Sequence, residues 1–398
     1  MKQRIRQAVI LAGGHGTRLM PFTESNPKPM YLFEGKPFLE YLIKQVKGFG
    51  IERVLLLLGY MPDKIMDYFG DGALFDLKIE YVITPLEYET GLRIKGAENK
   101  LDDAFLLMYC DNYCPVDFEK LQDKYFTNGA KAQLTAYANR DGYTKNNLLL
   151  DDCGKVLVYD KKRASSNLLG VDIGYAIIDK SVVGLVSNEN ENFEKTVYPQ
   201  LVEKRMLYAI TEEHRYYSVG SWERIELTTE FFRPKKTAFL DRDGTLNVRA
   251  PRAQYIEKPR DFVWLPGAIE AVKLLKNNGY NIILITNQPG IARGHLTEDT
   301  LVEIHDKMLF DLRREGGDID KIYYCPHNWD DGCFCRKPRP GMLYQAQKEL
   351  SVNLRDCVLF GDDYRDIEAG ESAGCTCSLV SEEYPLIQAV KDMLARKM

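Results

Sequence analysis

Strand-length apolar runs alternate with helix-length amphipathic stretches along this chain, and the alternation starts twice. The first series begins at Gln7–Ala12 and the second at Thr237–Leu240, after the basic, proline-containing segment 231–236. Such an alternation predicts α/β domains in which helices cover both faces of a mostly parallel sheet. The sequence therefore predicts two α/β domains, over residues 1–233 and 237–398, with ligands at the carboxyl ends of the strands.

Composition narrows the class of protein. The 398 residues are 45% hydrophobic and 28% charged, which is typical of a soluble globular protein with more than one core. A net charge of −5 and apolar runs no longer than a strand, such as Val54–Leu58, predict no nucleic-acid partner and no membrane partner. The N-terminus reads as a first strand rather than a signal peptide, and we expect a cytoplasmic protein. The sequence does not decide between a monomer and a homo-oligomer.

A glycine-rich turn follows the first strand, in the order Leu11-Ala12-Gly13-Gly14-His15-Gly16-Thr17-Arg18. Glycines let backbone N–H groups approach phosphate oxygens, and Arg18 can fork onto such oxygens and stabilise leaving pyrophosphate. Lys28 follows between two prolines, where the backbone is restricted. The pattern predicts a triphosphate site with Arg18 and Lys28 as catalytic residues and these residues as binding groups: Leu11, Ala12, Gly13, Gly14, Gly16 and Thr17.

With this spacing, residues 5–232 resemble the sugar-1-phosphate nucleotidyltransferases, which include mannose-1-phosphate and heptose-1-phosphate guanylyltransferases. The resemblance implies a Rossmann-like domain in which a sugar-1-phosphate attacks the α-phosphorus of a nucleoside triphosphate, with Mg²⁺ present and pyrophosphate leaving. It makes Asp111 a Mg²⁺ ligand and Lys161 a contact of the sugar phosphate. Further binding residues follow from matches to the base-side loop TGLRIK and the sugar-binding stretch VDIGY: Thr90, Gly91, Arg93, Asp172 and Gly174.

One position departs from that family. Ser218 stands where the family usually has an aspartate that serves as the second Mg²⁺ ligand. Serine is neutral and a poorer ligand, so one carboxylate with the substrate phosphates suffices, or the site is weakened, or the alignment shifts here. Because Mg²⁺ commonly keeps waters and relies on phosphate oxygens, the first explanation is favoured.

The second half carries two aspartates two positions apart after its first strand. Asp241 can attack phosphorus, and Asp243 can protonate the leaving alcohol and then activate water. Thr286 and Asn287 follow a later strand, Lys337 offers a positive charge, and Asp362 follows another strand. The four elements in this order predict an aspartyl phosphatase, with Asp241, Asp243 and Lys337 catalytic and Mg²⁺ held by Asp241, Asp243 and Asp362.

Residues 237–398 resemble the haloacid dehalogenase superfamily throughout. Within them the pattern C-x-H-x5-C-x-C supplies three thiolates and one imidazole, a set that zinc prefers in closed, structural sites. We expect Zn²⁺ on Cys325, His327, Cys333 and Cys335, where it would fix the loop that carries Arg336 and Lys337. The alternative is that these are buried cysteines beside a surface histidine.

The cysteine clip and the stretch Thr286–Gly294 resemble the heptose bisphosphate phosphatases, with the histidinol-phosphate phosphatases close behind. This resemblance adds binding roles for Thr286, Asn287, Gln288, Arg293 and Arg336. Pro289 replaces the usual serine, and the short loop between His327 and Cys333 also suits the histidinol relatives. The phosphatase substrate therefore stays open on these motifs alone.

The order of the two chemistries indicates the sugar. Loss of the 7-phosphate from a heptose 1,7-bisphosphate yields a heptose 1-phosphate, the acceptor that a sugar-1-phosphate nucleotidyltransferase needs. The resemblances thus imply a bifunctional D-glycero-α-D-manno-heptose 1,7-bisphosphate 7-phosphatase and heptose 1-phosphate guanylyltransferase, with GTP and heptose phosphates as small-molecule substrates. Two alternatives are a mannose-1-phosphate nucleotidyltransferase fused to a histidinol-phosphate-like phosphatase, and a non-catalytic sugar-nucleotide sensor joined to an active phosphatase.

Overall fold

The computed structural model describes residues 3–396 and divides into two compact units, one ending at Arg233 and one beginning at Pro234. The strands of the first unit are β1 (Gln7–Ala12), β2 (Leu32–Phe33), β3 (Lys36–Pro37), β4 (Arg53–Leu58), β5 (Lys78–Ile83), β6 (Ala104–Tyr109), β7 (Asn112–Tyr113), β8 (Ala132–Tyr137), β9 (Leu148–Leu150), β10 (Val156–Tyr159), β11 (Val171–Asp179), β12 (Leu207–Glu212) and β13 (Tyr217–Ser218). Its helices are α1 (Phe38–Gly48), α2 (Pro62–Phe69), α3 (Thr90–Gly96), α4 (Phe118–Asn128), α5 (Phe193–Glu203) and α6 (Trp222–Phe232).

The first unit is built on a seven-stranded sheet in the order β12-β8-β11-β6-β1-β4-β5. β1 pairs in parallel with β4 and β6, and β4 with β5, whereas β11 runs antiparallel to both β6 and β8. All six residues of β1 are buried, as a strand covered by helices on both faces requires. The carboxyl ends of β1 and β6 therefore meet at one edge, where the glycine-rich turn and Asp111 follow them.

The second unit has a five-stranded, fully parallel sheet in the order β16-β15-β14-β17-β18. Its strands are β14 (Lys236–Leu240), β15 (Tyr280–Asn287), β16 (Lys321–Cys325), β17 (Val358–Gly361) and β18 (Thr376–Leu379). Its helices are α7 (Ala268–Asn277), α8 (Glu298–Arg314), α9 (Gly341–Leu350), α10 (Tyr364–Ser372) and α11 (Leu386–Arg396). Parallel pairing brings the ends of β14, β15 and β17 to one edge of the sheet.

The predicted fold class, two α/β domains with largely parallel sheets, is confirmed. One local expectation differs from the structure. Residues 90–96, which were expected to form a loop on the base side, form the helix α3. Across residues 3–396, no helix has both the length and the apolar character that crossing a membrane requires.

Candidate active sites

The glycine-rich turn of the first unit rests on a buried arginine. Arg93, 3% exposed, donates from Nη1 to the Leu58 carbonyl oxygen (3.1 Å) and from Nη2 to the Leu86 carbonyl oxygen (2.9 Å). Its guanidinium lies so close to Gly13 that a Cβ there would collide with it. Gly16 adopts φ 68°, a conformation that favours glycine. Arg93 therefore supports the turn, in addition to the predicted nucleotide contact.

A cavity of about 340 Å³ opens between the glycine-rich turn, the segment 86–93 and the end of β6. Eight of the predicted nucleotide-side residues line it: Leu11, Gly13, Gly14, Gly16, Lys28, Thr90, Arg93 and Asp111. Ala12 is buried at the end of β1, and Gly91 donates its N–H to the Glu191 carbonyl oxygen (3.0 Å). Thr17 and Arg18 lie exposed in the short 3₁₀ turn Thr17–Leu19.

Asp111 is the carboxylate at this cavity. Its Oδ2 accepts a hydrogen bond from Lys28 Nζ at 2.6 Å. Burial alone would raise the pKa of Asp111, but Lys28, with Arg18 and Lys161 beyond it, holds that pKa below its usual value. An ionised carboxylate oxygen suits a hard cation, so the Asp111 side chain fits the role of a Mg²⁺ ligand. Its negative charge is also paired with the Lys28 ammonium.

Ser218 lies beside Asp111. It pairs with Asn112 across the short β13–β7 ladder, and the Val219 N–H donates to the Asp111 carbonyl oxygen at 3.0 Å. This position agrees with an alignment of Ser218 to the second metal ligand. Within residues 3–396, Asp111 belongs to no group of three or more metal-binding side chains.

The predicted sugar-side residues lie on β11 and on the segment after β10. Asp172 accepts from Tyr159 Oη (2.8 Å) and from the Gly174 N–H (2.9 Å), and burial raises its pKa. Lys161 forms a close ion pair with Glu194, a buried residue in the first turn of α5. Sequence reasoning missed Glu194, since a glutamate in a first helical turn is ordinarily read as a response to the helix dipole.

At the edge of the second sheet, three carboxylates converge. The ligand oxygens of Asp241, Asp362 and Asp366 all lie within 4.8 Å of one another. Asp241 and Asp362 follow β14 and β17 as predicted, whereas Asp366 comes from the first turn of α10 and was missed. Gly244, at φ 96°, permits this approach, because a Cβ there would collide with the carboxylate of Asp362.

Lys337 joins these carboxylates. Its buried Nζ donates to Asp241 Oδ1 (2.5 Å), to Asp366 Oδ1 (2.6 Å) and to the Ile285 carbonyl oxygen (2.8 Å). Burial would lower the pKa of Lys337, but the two carboxylates raise it above its usual value. Burial raises the pKa of Asp241 to about 7 despite Lys337. Three carboxylates against the Lys337 ammonium and the Arg249 guanidinium, which lies 2.9 Å from Asp362, leave a net anionic site of hard oxygen donors, which fits a magnesium ion.

Asp243 takes no part in that group of three carboxylates. Its oxygens instead accept hydrogen bonds from Arg242, Asn247 and Gln288. Burial would raise the pKa of Asp243, but these donors, Arg242 above all, hold it below its usual value. The Asp243 carboxylate therefore lies outside the group of three, where Asp366 stands instead, and its roles as a Mg²⁺ ligand and as an acid–base residue stay predictions.

Asn287 and Lys337 hold each other in place. Asn287 Nδ2 donates to the Lys337 carbonyl oxygen, and the Lys337 N–H donates to Asn287 Oδ1, both at 3.1 Å. Thr286 accepts from Gln288 Nε2 at 2.8 Å. These contacts give Asn287 a positioning task besides the predicted phosphate contact.

A cavity of about 500 Å³ lies over this site, and the predicted residues Thr286, Asn287, Gln288, Arg293 and Arg336 line it. Arg293 donates to Asn328 Oδ1 (2.8 Å) and Tyr255 Oη (2.6 Å). Four further arginines of the lining were not predicted: Arg242, Arg249, Arg252 and Arg365. Arg249 reaches Asp362 at 2.9 Å. The arginines give the cavity a cationic wall that suits an anionic substrate.

The four predicted ligands of the cysteine–histidine cluster come together at the end of β16. Cys325 Sγ lies 3.6 Å from Cys333 Sγ and 3.4 Å from Cys335 Sγ, and His327 Nδ1 lies 3.2 Å from Cys335 Sγ. Tetrahedral bonds of about 2.3 Å to sulfur require ligand separations of about 3.7 Å, so the cluster fits a zinc ion. Burial raises the pKa of the Cys325 thiol.

Comparisons with known proteins match the two parts of the chain to two different families. Residues 7–145 match the family model "Nucleotidyl transferase", and residues 187–374 match "haloacid dehalogenase-like hydrolase", a range that begins before the structural boundary at Pro234. HddC from Yersinia pseudotuberculosis is 25% identical in sequence, covers 57% of this chain and all of its own, and superposes with a TM-score of 0.50.

Two curated relatives resemble the phosphatase part. The D-glycero-beta-D-manno-heptose-1,7-bisphosphate 7-phosphatase of Pasteurella multocida is 43% identical over 145 residues, which span 35% of this chain and 77% of the relative. The D-glycero-alpha-D-manno-heptose-1,7-bisphosphate 7-phosphatase of Photorhabdus laumondii is 40% identical over 168 residues, 40% of this chain and 90% of the relative.

Proposed function

Since the chain belongs to the family of the D-glycero-D-manno-heptose-1,7-bisphosphate 7-phosphatases and carries a nucleotidyl transferase domain before it, we propose that it is a bifunctional enzyme of GDP-heptose synthesis. It removes the 7-phosphate of D-glycero-α-D-manno-heptose 1,7-bisphosphate and joins the resulting heptose 1-phosphate to GMP from GTP. The observation that carries the proposal is the Asp241–Lys337–Asp366 cluster, a phosphomonoester site that supplies the substrate of the other domain.

In the phosphatase reaction, Asp241 is the nucleophile. A carboxylate oxygen of Asp241 attacks the phosphorus, the bond to the sugar oxygen breaks, and the protonated form of Asp243 gives its proton to the leaving oxygen. Asp243 then takes a proton from the water that hydrolyses the aspartyl phosphate, which releases phosphate and restores both residues. Lys337 neutralises charge on Asp241 throughout. Mg²⁺, held by Asp241, Asp362 and Asp366, would reduce the repulsion between carboxylate and phosphate dianion.

In the transferase reaction, the chain mainly positions and neutralises. Backbone N–H groups of Gly13, Gly14 and Gly16 approach the triphosphate, and Arg18 stabilises the leaving pyrophosphate. Lys28 Nζ lies 2.6 Å from Asp111 Oδ2, and from there it can neutralise negative charge on the α-phosphate. Lys161 binds the sugar phosphate after its ammonium group exchanges the ion pair with Glu194 for the phosphate. Mg²⁺ on Asp111 would neutralise charge on the triphosphate.

The cysteine–histidine cluster has a structural role in this proposal. Zn²⁺ on its four ligands would fix the loop 325–335, and Arg336 and Lys337 follow that loop directly. None of the nine cysteines, which all lie within residues 3–396, forms a disulfide bond.

The choice of guanine as the nucleotide base and of the α-anomer of the sugar rests on similarity to known proteins. The guanine choice is supported by the family resemblance of the first domain, and the α-anomer by the Photorhabdus relative. A second candidate is the β-anomer, which the Pasteurella relative favours.

The test is a panel of substrates assayed with the intact chain. Four nucleoside triphosphates are combined with the α- and β-heptose 1-phosphates and with mannose 1-phosphate, and pyrophosphate release is measured. Phosphate release is measured from both heptose 1,7-bisphosphates and from histidinol phosphate. We expect GTP with the α-heptose substrates to have the largest kcat/KM. A preference for mannose 1-phosphate, or for histidinol phosphate, would contradict the proposal.

A further inference from the structure

Arg242 is almost completely buried, at 1% exposure, although it stands between the two aspartates of the phosphatase motif. A guanidinium stays charged in a protein and carries five N–H donors, so its burial is costly unless those donors find acceptors. Its position next to Asp241 and Asp243 makes the identity of these acceptors relevant to the reaction.

The Arg242 donors reach three side chains. Nε and Nη2 fork onto the Asp243 carboxylate, with Nε–Oδ1 at 3.2 Å and Nη2–Oδ2 at 2.9 Å. Nη2 also donates to Gln288 Oε1 at 3.1 Å, and Nη1 lies 3.2 Å from His305 Nε2. The guanidinium thus connects Asp243 to a residue of α8.

His305 is built to accept this hydrogen bond. It is 6% exposed, and burial, followed by the charge of Arg242, lowers its pKa to about 3. A neutral imidazole offers the Nε2 lone pair when Nδ1 carries the proton. A protonated histidine facing Arg242 would repel it, so the neutral ring keeps the arginine in place.

Asp243 is held from two more directions. Asn247 Nδ2 donates to Oδ1 at 3.0 Å, and Gln288 Nε2 donates to Oδ2 at 2.9 Å. Asp243 nevertheless remains 25% exposed and lines the catalytic cavity. The donors therefore fix the orientation of the carboxylate and leave one edge open to a substrate.

We propose that His305 and Arg242 are positioning residues for Asp243, which they orient so that its open edge meets the leaving oxygen of the substrate. The proposal rests on the phosphatase function proposed above. As the phosphorus–oxygen bond breaks, the protonated form of Asp243 passes its proton to the sugar oxygen, which leaves as an alcohol, and the carboxylate that remains is the form that the Arg242, Asn247 and Gln288 donors favour. Proton transfer of this kind depends on hydrogen-bond geometry, so a carboxylate free to turn performs it poorly.

The test uses two leaving groups. The sugar oxygen of heptose 1,7-bisphosphate needs a proton to leave, whereas p-nitrophenolate leaves p-nitrophenyl phosphate without one. The intact chain, in excess over substrate and with Mg²⁺ present, is followed through its first turnover by the release of heptose 1-phosphate or p-nitrophenolate, which reports formation of the aspartyl phosphate and not its hydrolysis. His305→Phe removes the acceptor at similar size, and His305→Gln keeps an acceptor near the position of Nε2.

With heptose bisphosphate, we expect His305→Phe to slow the first turnover about 10- to 100-fold at unchanged half-saturating concentration, and His305→Gln to restore most of the rate. With p-nitrophenyl phosphate, His305→Phe should stay within about 3-fold of wild type. Equal losses on both substrates would overturn the positioning role, since a merely structural defect affects both alike.

If His305→Phe does not fold, Arg242→Lys provides the same comparison. This substitution keeps the positive charge and loses the two-point hydrogen bond to the Asp243 carboxylate. If Arg242→Lys lowered the first-turnover rate equally on both substrates, the inference would likewise be overturned. A wild-type chain that hydrolyses neither substrate would instead overturn the phosphatase function itself.

Discussion

The two candidate sites differ in how much of their charge the protein supplies. At the edge of the second sheet the protein supplies three converging carboxylates, Asp241, Asp362 and Asp366, and Lys337 pairs with the first and the last of them. At the edge of the first sheet, Asp111 meets Lys28, and Ser218 lies beside it.

This difference follows from the substrates. A phosphomonoester brings one dianion, so the phosphatase must supply the ligands that hold a cation against it. A triphosphate brings several anionic oxygens of its own, and one carboxylate can then suffice. We therefore expect metal binding at the first site to depend on the nucleotide, and metal binding at the second site not to depend on a substrate.

The largest effect is expected from Asp241→Asn, which removes the nucleophile. Phosphate release from heptose bisphosphate should fall by at least about 10³-fold, while pyrophosphate release from GTP and heptose 1-phosphate stays unchanged. Asp306→Asn, on an exposed position of α8, is the matched control. Retained phosphate release would remove Asp241 from its assigned role.

The reciprocal change is Arg18→Ala in the first domain. Loss of a cation at the leaving pyrophosphate should lower kcat for pyrophosphate release about 10²- to 10³-fold, with the phosphatase unaffected. Arg4→Ala, also exposed, controls for the loss of one surface charge. Unchanged transfer by Arg18→Ala would contradict the assignment of the triphosphate site.

Cys333→Ser tests the metal cluster of the second domain. Loss of one of four ligands should weaken zinc binding by about 100-fold or more and lower phosphatase activity through the loop of Lys337. Metal content of chain purified without chelator is the measurement, and Cys153→Ser, exposed in the first unit, is the control. Zinc absent from the wild-type chain would refute the cluster's role.

Acid should weaken the second unit through His305. Its pKa is about 3 in the folded chain against 6.5 unfolded, so only the unfolded chain gains this proton as pH falls below 6.5. The unfolding free energy should therefore drop by about 2 kcal/mol between pH 6.5 and pH 5 from this residue. Hydrogen exchange of the α8 amides measures it, and His305→Gln should lose about that much less. An equal loss in both chains would be inconsistent with a neutral buried His305.

The smallest effect is expected from Ser218→Asp, which gives the first site a second carboxylate. The Mg²⁺ concentration for half-maximal transfer should fall about 5-fold, because ligand charge sets the affinity for hard cations. Ser218→Ala should leave that concentration unchanged. A requirement for Mg²⁺ that does not respond to Ser218→Asp would mean that Ser218 lies outside the metal shell.

Sequence reasoning reached those parts of the sites that lie next to strands. Asp241, Asp362 and Asp111 each follow an apolar run, and parallel pairing brings such positions to one edge. It missed Asp366 and Glu194, which come from the first turns of helices, where acidic residues are common for local reasons. It also could not find His305, because only the folded chain brings this residue of α8 next to Arg242, which lies 63 positions earlier in the sequence.

The central claim is that the two domains act in sequence on one sugar. The intact chain is incubated with D-glycero-α-D-manno-heptose 1,7-bisphosphate, GTP and Mg²⁺, and phosphate, pyrophosphate and sugar nucleotide are measured together. We predict phosphate release followed by equal amounts of pyrophosphate and GDP-heptose. Phosphate release with accumulation of heptose 1-phosphate, and no GDP-heptose, would contradict the account.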